Sequence, residues 1–345
     1  MTTPSKTVRW SAEQAEEWRR NQPWLAGFNY IPAYACNTTE WWQEESFDIA
    51  SMDRELGWAA DIGYNSTRVF IQYLVWKQNP AAFKDRFSSF LCLAEKRGIS
   101  VMPVLFDDCA FGEPLQFDPF PGQQRTPIPG MILPSWTPSP GRLLARDPEE
   151  KGSLRDYVDD MLRSFGGDSR VLLWDLFNEP MNVAETGTPA FLEELFGWAR
   201  KAGAQQPLSA GIWNDNQHVN EVLTALSDII TFHVYANAEG VLQRIQKLRK
   251  YGRPLVCTEW MARAAGSRFD TDLPIFAREG VGCYQWGLVS GRTQCRFPWS
   301  NSPGGAEDPK TGWFHDILHA DGTPYRPGEV DVIKKILKVD SMKNL

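Results

Sequence analysis

Residues 172–180 read LLWDLFNEP. An apolar run of this kind, interrupted only by Asp175, fits a strand covered on both faces, as in a parallel sheet between helical layers. The predicted strand runs directly into Asn178, Glu179 and Pro180, so a carboxylate stands at its C-terminal end. A second segment of the same build, PLVCTEW at 254–260, places Glu259 in the same way.

Outward from these two segments the pattern repeats. Short β-branched or apolar runs predict strands over 24–30, 66–71, 100–106, 171–177, 207–212, 229–235, 254–259 and 281–286. Helix-period stretches lie between them, at 44–62, 82–97, 154–165, 190–202, 241–250 and 273–278, with a last one at 330–337. Eight strands alternating with helices favour closure into a (β/α)8 TIM barrel over an open doubly wound sheet. No G-x-G-x-x-G follows the first strand, which argues further against a dinucleotide-binding fold. The expectation is one domain over residues 1–345, with 1–20 as an N-terminal extension. Two connections exceed plain turns. Residues 107–149 hold nine of the chain's 24 prolines, and 287–325 contain PWSNSPGGAEDP. Both leave C-terminal strand ends, where barrel enzymes carry their chemistry, and are expected to wall a substrate pocket.

Composition narrows the function. The 345 residues carry a net charge of −7 with both signs interleaved, so nucleic acid is not an expected partner. No stretch approaches a membrane span, and the first ten residues, MTTPSKTVRW, lack a secretory apolar region. The expectation is a cytoplasmic protein, unless a leader was removed. Nothing in the sequence sets an oligomeric state. The six cysteines are scattered without C-x-x-C spacing and read as reduced thiols packed as small hydrophobes. Fifteen tryptophans, several in Gly/Pro-rich loops, are a surplus over core needs; part of them suits flat platforms for a ligand with apolar faces, such as a sugar.

Two carboxylates at the mouths of two barrel strands can face one another across the barrel top. Glycosidic cleavage needs that arrangement, with the carboxyls roughly 5–5.5 Å apart for retention and roughly 6.5–9.5 Å apart for inversion. Metal catalysis is the weaker reading. His315 and His319 have i, i+4 spacing in WFHDILH, but the H-E-x-x-H glutamate is missing and no third ligand can be named. No G-x-S-x-G points to a serine hydrolase. No metal or organic cofactor is expected.

Asn178-Glu179-Pro180 on the fourth strand and Glu259 on the seventh resemble glycoside hydrolase clan A. From about residue 10 to 337 the chain resembles glycoside hydrolase family 5. QPWLAGFNYIPAYA, RELGWAADIGYNSTRVF, PVLFDDCAFG and CYQWGLVSGRTQ are similar to a bacterial subgroup loosely described as cellulase or 1,4-β-xylanase. The resemblance implies Glu179 as general acid/base and Glu259 as the nucleophile of a glycosyl-enzyme intermediate. Glu179 should then hold its proton near neutrality while Glu259 stays ionised, so donors should cluster on Glu259. Arg68, within STRVFI, matches the arginine that clan A barrels place beneath the nucleophile. Asn178 matches the residue that bonds the sugar 2-hydroxyl and the nucleophile. His233 and Tyr235 match an H-x-Y pair whose tyrosine touches the nucleophile, and Trp286 matches the floor of the sugar subsite. One position departs: where many members end the third strand with Asp-x-His, this chain has Phe106, Asp107 and Asp108. Either aspartate is expected to accept hydrogen bonds from sugar hydroxyls in the imidazole's place.

The resulting expectation is a retaining β-glycosidase with a carbohydrate substrate, exo-acting on short or small glycosides. Endo-action on a polymer and transglycosylation use the same residues. A non-catalytic carbohydrate-binding barrel is the reading from another class, and the intact glutamate pair argues against it.

Overall fold

The computed structural model describes residues 8–111 and 118–343. Residues 1–7 of the expected extension and 112–117 of the expected first long loop lie outside the described residues. Eight parallel strands form the centre: β1 (Ala26–Tyr30), β2 (Ser66–Phe70), β3 (Ser100–Asp107), β4 (Trp174–Asn178), β5 (Leu208–Ser209), β6 (Ile230–His233), β7 (Leu255–Trp260) and β8 (Gly282–Trp286). Their order is β5-β4-β3-β2-β1-β8-β7-β6. The remaining seam is spanned by a parallel bridge between Ile212 and Phe232 and by a 2.8 Å hydrogen bond between the Ser209 and Thr231 hydroxyls. The sheet therefore closes, as the eightfold alternation predicts.

β5 is two residues long where six were expected. The chain leaves the ladder at Ala210 and Gly211, and a Cβ at 211 would stand 3.1 Å from His233 Nε2. Glycine there lets the backbone pass close to that imidazole, and pairing resumes at Ile212.

The helices are α1 (Ala12–Arg20), α2 (Thr38–Trp42), α3 (Ile49–Ile62), α4 (Tyr73–Gln78), α5 (Pro80–Lys96), α6 (Arg142–Arg146), α7 (Lys151–Phe165), α8 (Pro189–Ala202), α9 (Gln217–Leu226), α10 (Ala238–Arg249), α11 (Phe269–Glu279) and α12 (Pro327–Lys343). Local chemistry sets their ends. Asp48 accepts from Ala50 N and Ser51 N to start α3, and Gly63 at φ +109° stops it. Thr188 caps α8 with Pro189 in its first turn. Of the helices that alternate with strands, α9 was not anticipated, and neither were α1, α2 and α4. α1 opens with a Ser11–Gln14 capping box. Its Ala15 and Trp18 pack on Leu25, Met102, Leu173, Ile229, Val256 and Tyr284, which seals the N-terminal end of the barrel. Among the described residues no helix is long and apolar enough to cross a membrane.

The two long connections meet over the opposite end. Leu133 N donates to Thr293 O at 2.7 Å, Gly304 N to Pro129 O at 2.7 Å, and Gln294 Nε2 to Ile128 O at 2.9 Å. All six cysteines are free and five are buried; Cys92 is exposed, against expectation.

Candidate active site

β4 ends at Asn178, and Glu179 follows at φ +44°. A non-glycine residue in the left-handed region costs roughly 1 kcal/mol or more and persists only where its surroundings impose it. The turn places the Glu179 carboxylate over the barrel mouth. Oε1 lies 2.7 Å from His233 Nδ1, and Oε2 accepts from Cys109 Sγ at 3.0 Å and Asn182 Nδ2 at 2.5 Å. His233 Nε2 is buried with no protein partner among the described residues, so the tautomer that leaves no N–H unpaired has Nδ1–H donating to Glu179.

Glu259 stands on β7 beside β6, where a register irregularity sets His233 opposite it. Its Oε1 accepts from Arg68 Nη1 at 2.8 Å and its Oε2 from Tyr235 Oη at 2.8 Å. One ligand atom each of Glu179, His233 and Glu259 lies within 4.8 Å of the others. The two carboxylates thus face each other closely across His233, as a paired acid/base and nucleophile would.

Arg68 is fully buried and organises the floor beneath them. It donates through Nε to Asp175 Oδ2 at 2.9 Å, through Nη1 also to Asn29 Oδ1 at 2.9 Å, and through Nη2 to Asn178 Oδ1 at 2.7 Å. Burial disfavours its charge, but Asp175 and Glu259 outweigh burial and raise its pKa. Asn29 and Asp175 were not expected in the site. They stand on β1 and β4 as inward polar residues within otherwise apolar runs, a local signal that could have marked them.

Burial raises the proton affinity of Glu179, yet His233, Cys109 and Asn182 together hold it below the ordinary glutamate range. This differs from the expected poise of an acid, and the cause is that three donors converge on its carboxylate. Burial also raises Glu259, with His233 pulling down, the charge of Glu179 pushing up, and Arg68 and Tyr235 pulling down. The carboxyls hold their protons jointly. Glu259 faces a guanidinium that cannot give up its proton, whereas Glu179 faces an imidazole that can exchange donor for acceptor.

Neither aspartate at the end of β3 takes the place foreseen for it. Asp107 Oδ1 accepts from Asn178 Nδ2 at 2.7 Å and Cys109 N at 3.0 Å, and Oδ2 from Trp136 Nε1 at 2.8 Å. Burial pushes its carboxyl up to about 7 against those donors. Asp108 is 0% exposed and accepts from Met181 N at 2.8 Å, Gly187 N at 2.8 Å, Thr186 N at 3.0 Å and the Thr186 hydroxyl. Both carboxylates are spent on protein donors, and neither lines the cavity described next. Asp108 ties down the loop after Glu179. Replacing it by alanine leaves three buried N–H groups without an acceptor, so a loss of about 2–4 kcal/mol is expected from urea unfolding. A change below about 0.5 kcal/mol would contradict this account.

A cavity of about 670 Å³ opens above the glutamates. Trp286 lines it, as expected, and so do Trp136, Trp213 and Trp299. Phe70 meets Trp136 at 5.3 Å and Trp286 at 5.8 Å, both edge-on, which forms an apolar end. Cys109 stands beside Glu179 on the side away from His233. Asn182, Cys109 and Trp213 escaped the sequence reading because their place depends on how loops return to the mouth. His315 and His319 are not helical; His315 is buried, donates through Nδ1 to Met261 O at 2.6 Å, and is lowered by burial to about 3. A cation held by Glu179, His233 and Glu259 would have to displace the hydrogen bonds those groups already make and sit close to the Arg68 guanidinium. The donor set therefore does not favour a metal there.

The site is thus a closed parallel barrel whose carboxylate just after β4 faces one on β7 over a buried arginine. No protein-family model matches the sequence and no curated protein matches it. Among solved structures, an endo-β-1,4-mannanase from Thermotoga petrophila aligns over 95% of this chain and 79% of its own, with 13% identity and a TM-score of 0.60. An exo-β-1,4-mannosidase from Opitutaceae bacterium strain TAV5 aligns over 100% and 63%, with 16% identity and 0.62. A glycoside hydrolase family 5 mannosidase from Rhizomucor miehei aligns over 94% and 95%, with 14% identity and 0.60. At these identities the likeness is one of fold, the (β/α)8 barrel that these structures share.

Proposed function

We propose that this chain is a retaining β-glycosidase, acting as one catalytic barrel. The observation that carries the reading is the approach of Glu179, His233 and Glu259 within 4.8 Å at the ends of three strands, above Arg68 and below a cavity. Glu259, ionised and held by Arg68 and Tyr235, attacks the anomeric carbon while Glu179 gives its proton to the departing oxygen. The glycosyl-enzyme ester is then cleaved by water, whose proton returns to Glu179 as the Glu259–carbon bond breaks. The proton for the first step comes from the Glu179–His233 pair, once a bound sugar draws Glu179 away from the donors that hold it. Arg68 holds Asn178 and Glu259 in one frame, which supports Asn178 as a contact of the sugar 2-hydroxyl as charge develops on the ring.

Action on small or short glycosides from a chain end is supported by the two long loops, which bond to each other over the mouth and bound the cavity. The wall beside Glu179 carries Cys109, so recognition there includes a weak thiol donor. Transglycosylation differs only in an acceptor sugar replacing water.

A panel of nitrophenyl β-glycosides tests the reading. The expected result is turnover of at least one, with the β-anomer of the free sugar appearing first in proton magnetic resonance and the α-anomer growing only by mutarotation. An α-anomer at first release would overturn retention. Binding of sugars without turnover of any would favour a carbohydrate-binding barrel.

A further inference from the structure

The cavity over the glutamates has two unlike ends. At one, Phe70, Trp136 and Trp286 are apolar. The other runs past Glu179 to Trp213, Asn214 and Asp215 after β5, and to Arg244 and Lys247 on α10. Trp213 joins that end to the acid, since its Nε1 donates to Pro180 O at 3.0 Å. The two ends therefore differ in charge. Among the described residues that line the cavity, the only cations are Arg244 and Lys247. Arg68 lies beneath the floor, with its donors committed.

Both cations converge on one oxygen. Arg244 Nη1 reaches Asp215 Oδ1 at 3.1 Å, and Lys247 Nζ reaches the same atom at 2.8 Å. Two positive charges on one carboxylate leave one in excess. Asp215 is 75% exposed at its side chain, so its ion pairs are weak and its carboxylate can yield to a ligand. Arg244 is 14% exposed at its side chain and under-paired: Nη2 makes a long 3.5 Å contact with Asn214 O, and Nε has no acceptor among the described residues. A sequestered guanidinium of this kind pairs with planar or tetrahedral oxyanions better than with water.

We infer that the Arg244–Lys247 end is an aglycone subsite for an anionic leaving group, one that carries a carboxylate or a phosphate ester. The inference rests on the reading of Glu179 and Glu259 as the hydrolytic pair. Glu179 must face the departing oxygen, so the group that departs lies on the side of Glu179, β5 and α10, while the sugar that is attacked occupies the Trp286 end. The anion binds at Arg244 and Lys247 and orients the leaving oxygen toward Glu179; it takes no part in bond making.

The test uses the full chain and a glycone that the neutral nitrophenyl panel shows to be turned over. Kcat/KM is measured for three leaving groups on that glycone: 4-nitrophenyl, the same ring bearing a carboxylate, and the same ring bearing a phosphate. The readout is the anionic-to-neutral ratio in each variant relative to the parent, which cancels the differing acidity of the phenols. Arg244→Gln is expected to lower that ratio about tenfold and Lys247→Gln about threefold, and the parent ratio is expected to fall as ionic strength rises. Whichever anionic arm responds more strongly identifies the oxyanion. Lys247 is exposed, so its variant decides the matter if Arg244→Gln does not fold. Unchanged ratios in the folded variants would overturn the inference while leaving the hydrolase reading intact. A preference for a uronic acid glycone that neither substitution alters would also overturn it. If no neutral glycoside is turned over, the hydrolytic reading fails first, and the inference with it.

Discussion

Replacing Glu259 by alanine is expected to lower kcat/KM by on the order of 10⁴-fold or more on every substrate, the scale seen when an enzymic nucleophile is removed. Replacing Glu179 by alanine should act selectively. General acid catalysis contributes about 10²–10⁴-fold, and it is needed most where the leaving oxygen is basic. The Glu179 variant should therefore lose most on an alkyl or sugar aglycone and least on a dinitrophenyl one. Azide separates the roles further. In the Glu259→Ala variant it enters from the vacated face, displaces the aglycone once and leaves an α-glycosyl azide. In the Glu179→Ala variant the glycosyl-enzyme still forms, and azide releases it as the β-azide. Exchange of these two products between the variants would exchange the assignments, and rescue of neither would remove the double displacement.

Arg68→Met is expected to destabilise the fold by about 3–5 kcal/mol, because it strips the counter-charge from two buried carboxylates, Asp175 and Glu259. Urea unfolding at neutral pH measures this, and a loss below about 1 kcal/mol would sink the account of the floor. The pH dependence has a definite sign. Burial already raises Asp175, with Arg68 as the main opposing influence. Without the guanidinium, both folded-state pKa values rise further above their unfolded values of about 4. A raised folded pKa means that the native state binds more protons, so stability falls as pH climbs from the unfolded pKa toward the folded one. The variant should accordingly recover part of its loss on acidification, down to about pH 4. A penalty that stayed flat with pH would mean that the carboxylates had found other partners.

Much of the barrel was legible because parallel strands covered on both faces are largely apolar, as runs such as VLLW and IITF show without reference to the rest of the chain. The glutamates were legible because a strand end is a local position. Asp108 was misread for the complementary reason. Its four hydrogen bonds go to Met181, Thr186 and Gly187, which return to it only after β4 is laid beside β3. Cys109 reads as one more apolar thiol until Glu179 is set 3.0 Å from it. α9 was missed although Val219 and Leu223 bury one face of it. Ten residues with two polar amides and a histidine in the first turn give a weak period, and Asn216 as cap is a one-residue signal.

The left-handed backbone at Glu179 bears on the history of such barrels. Glutamate is poorly suited to that conformation, whereas glycine and asparagine adopt it readily, so a glutamate there is kept against the preference of the main chain where the role proposed for it demands it. In a lineage released from catalysis, drift at this position would run toward glycine or asparagine, with a gain in stability along the way. The residue found at position 179 in descendants of this chain would then record whether the ancestral chemistry was still being used.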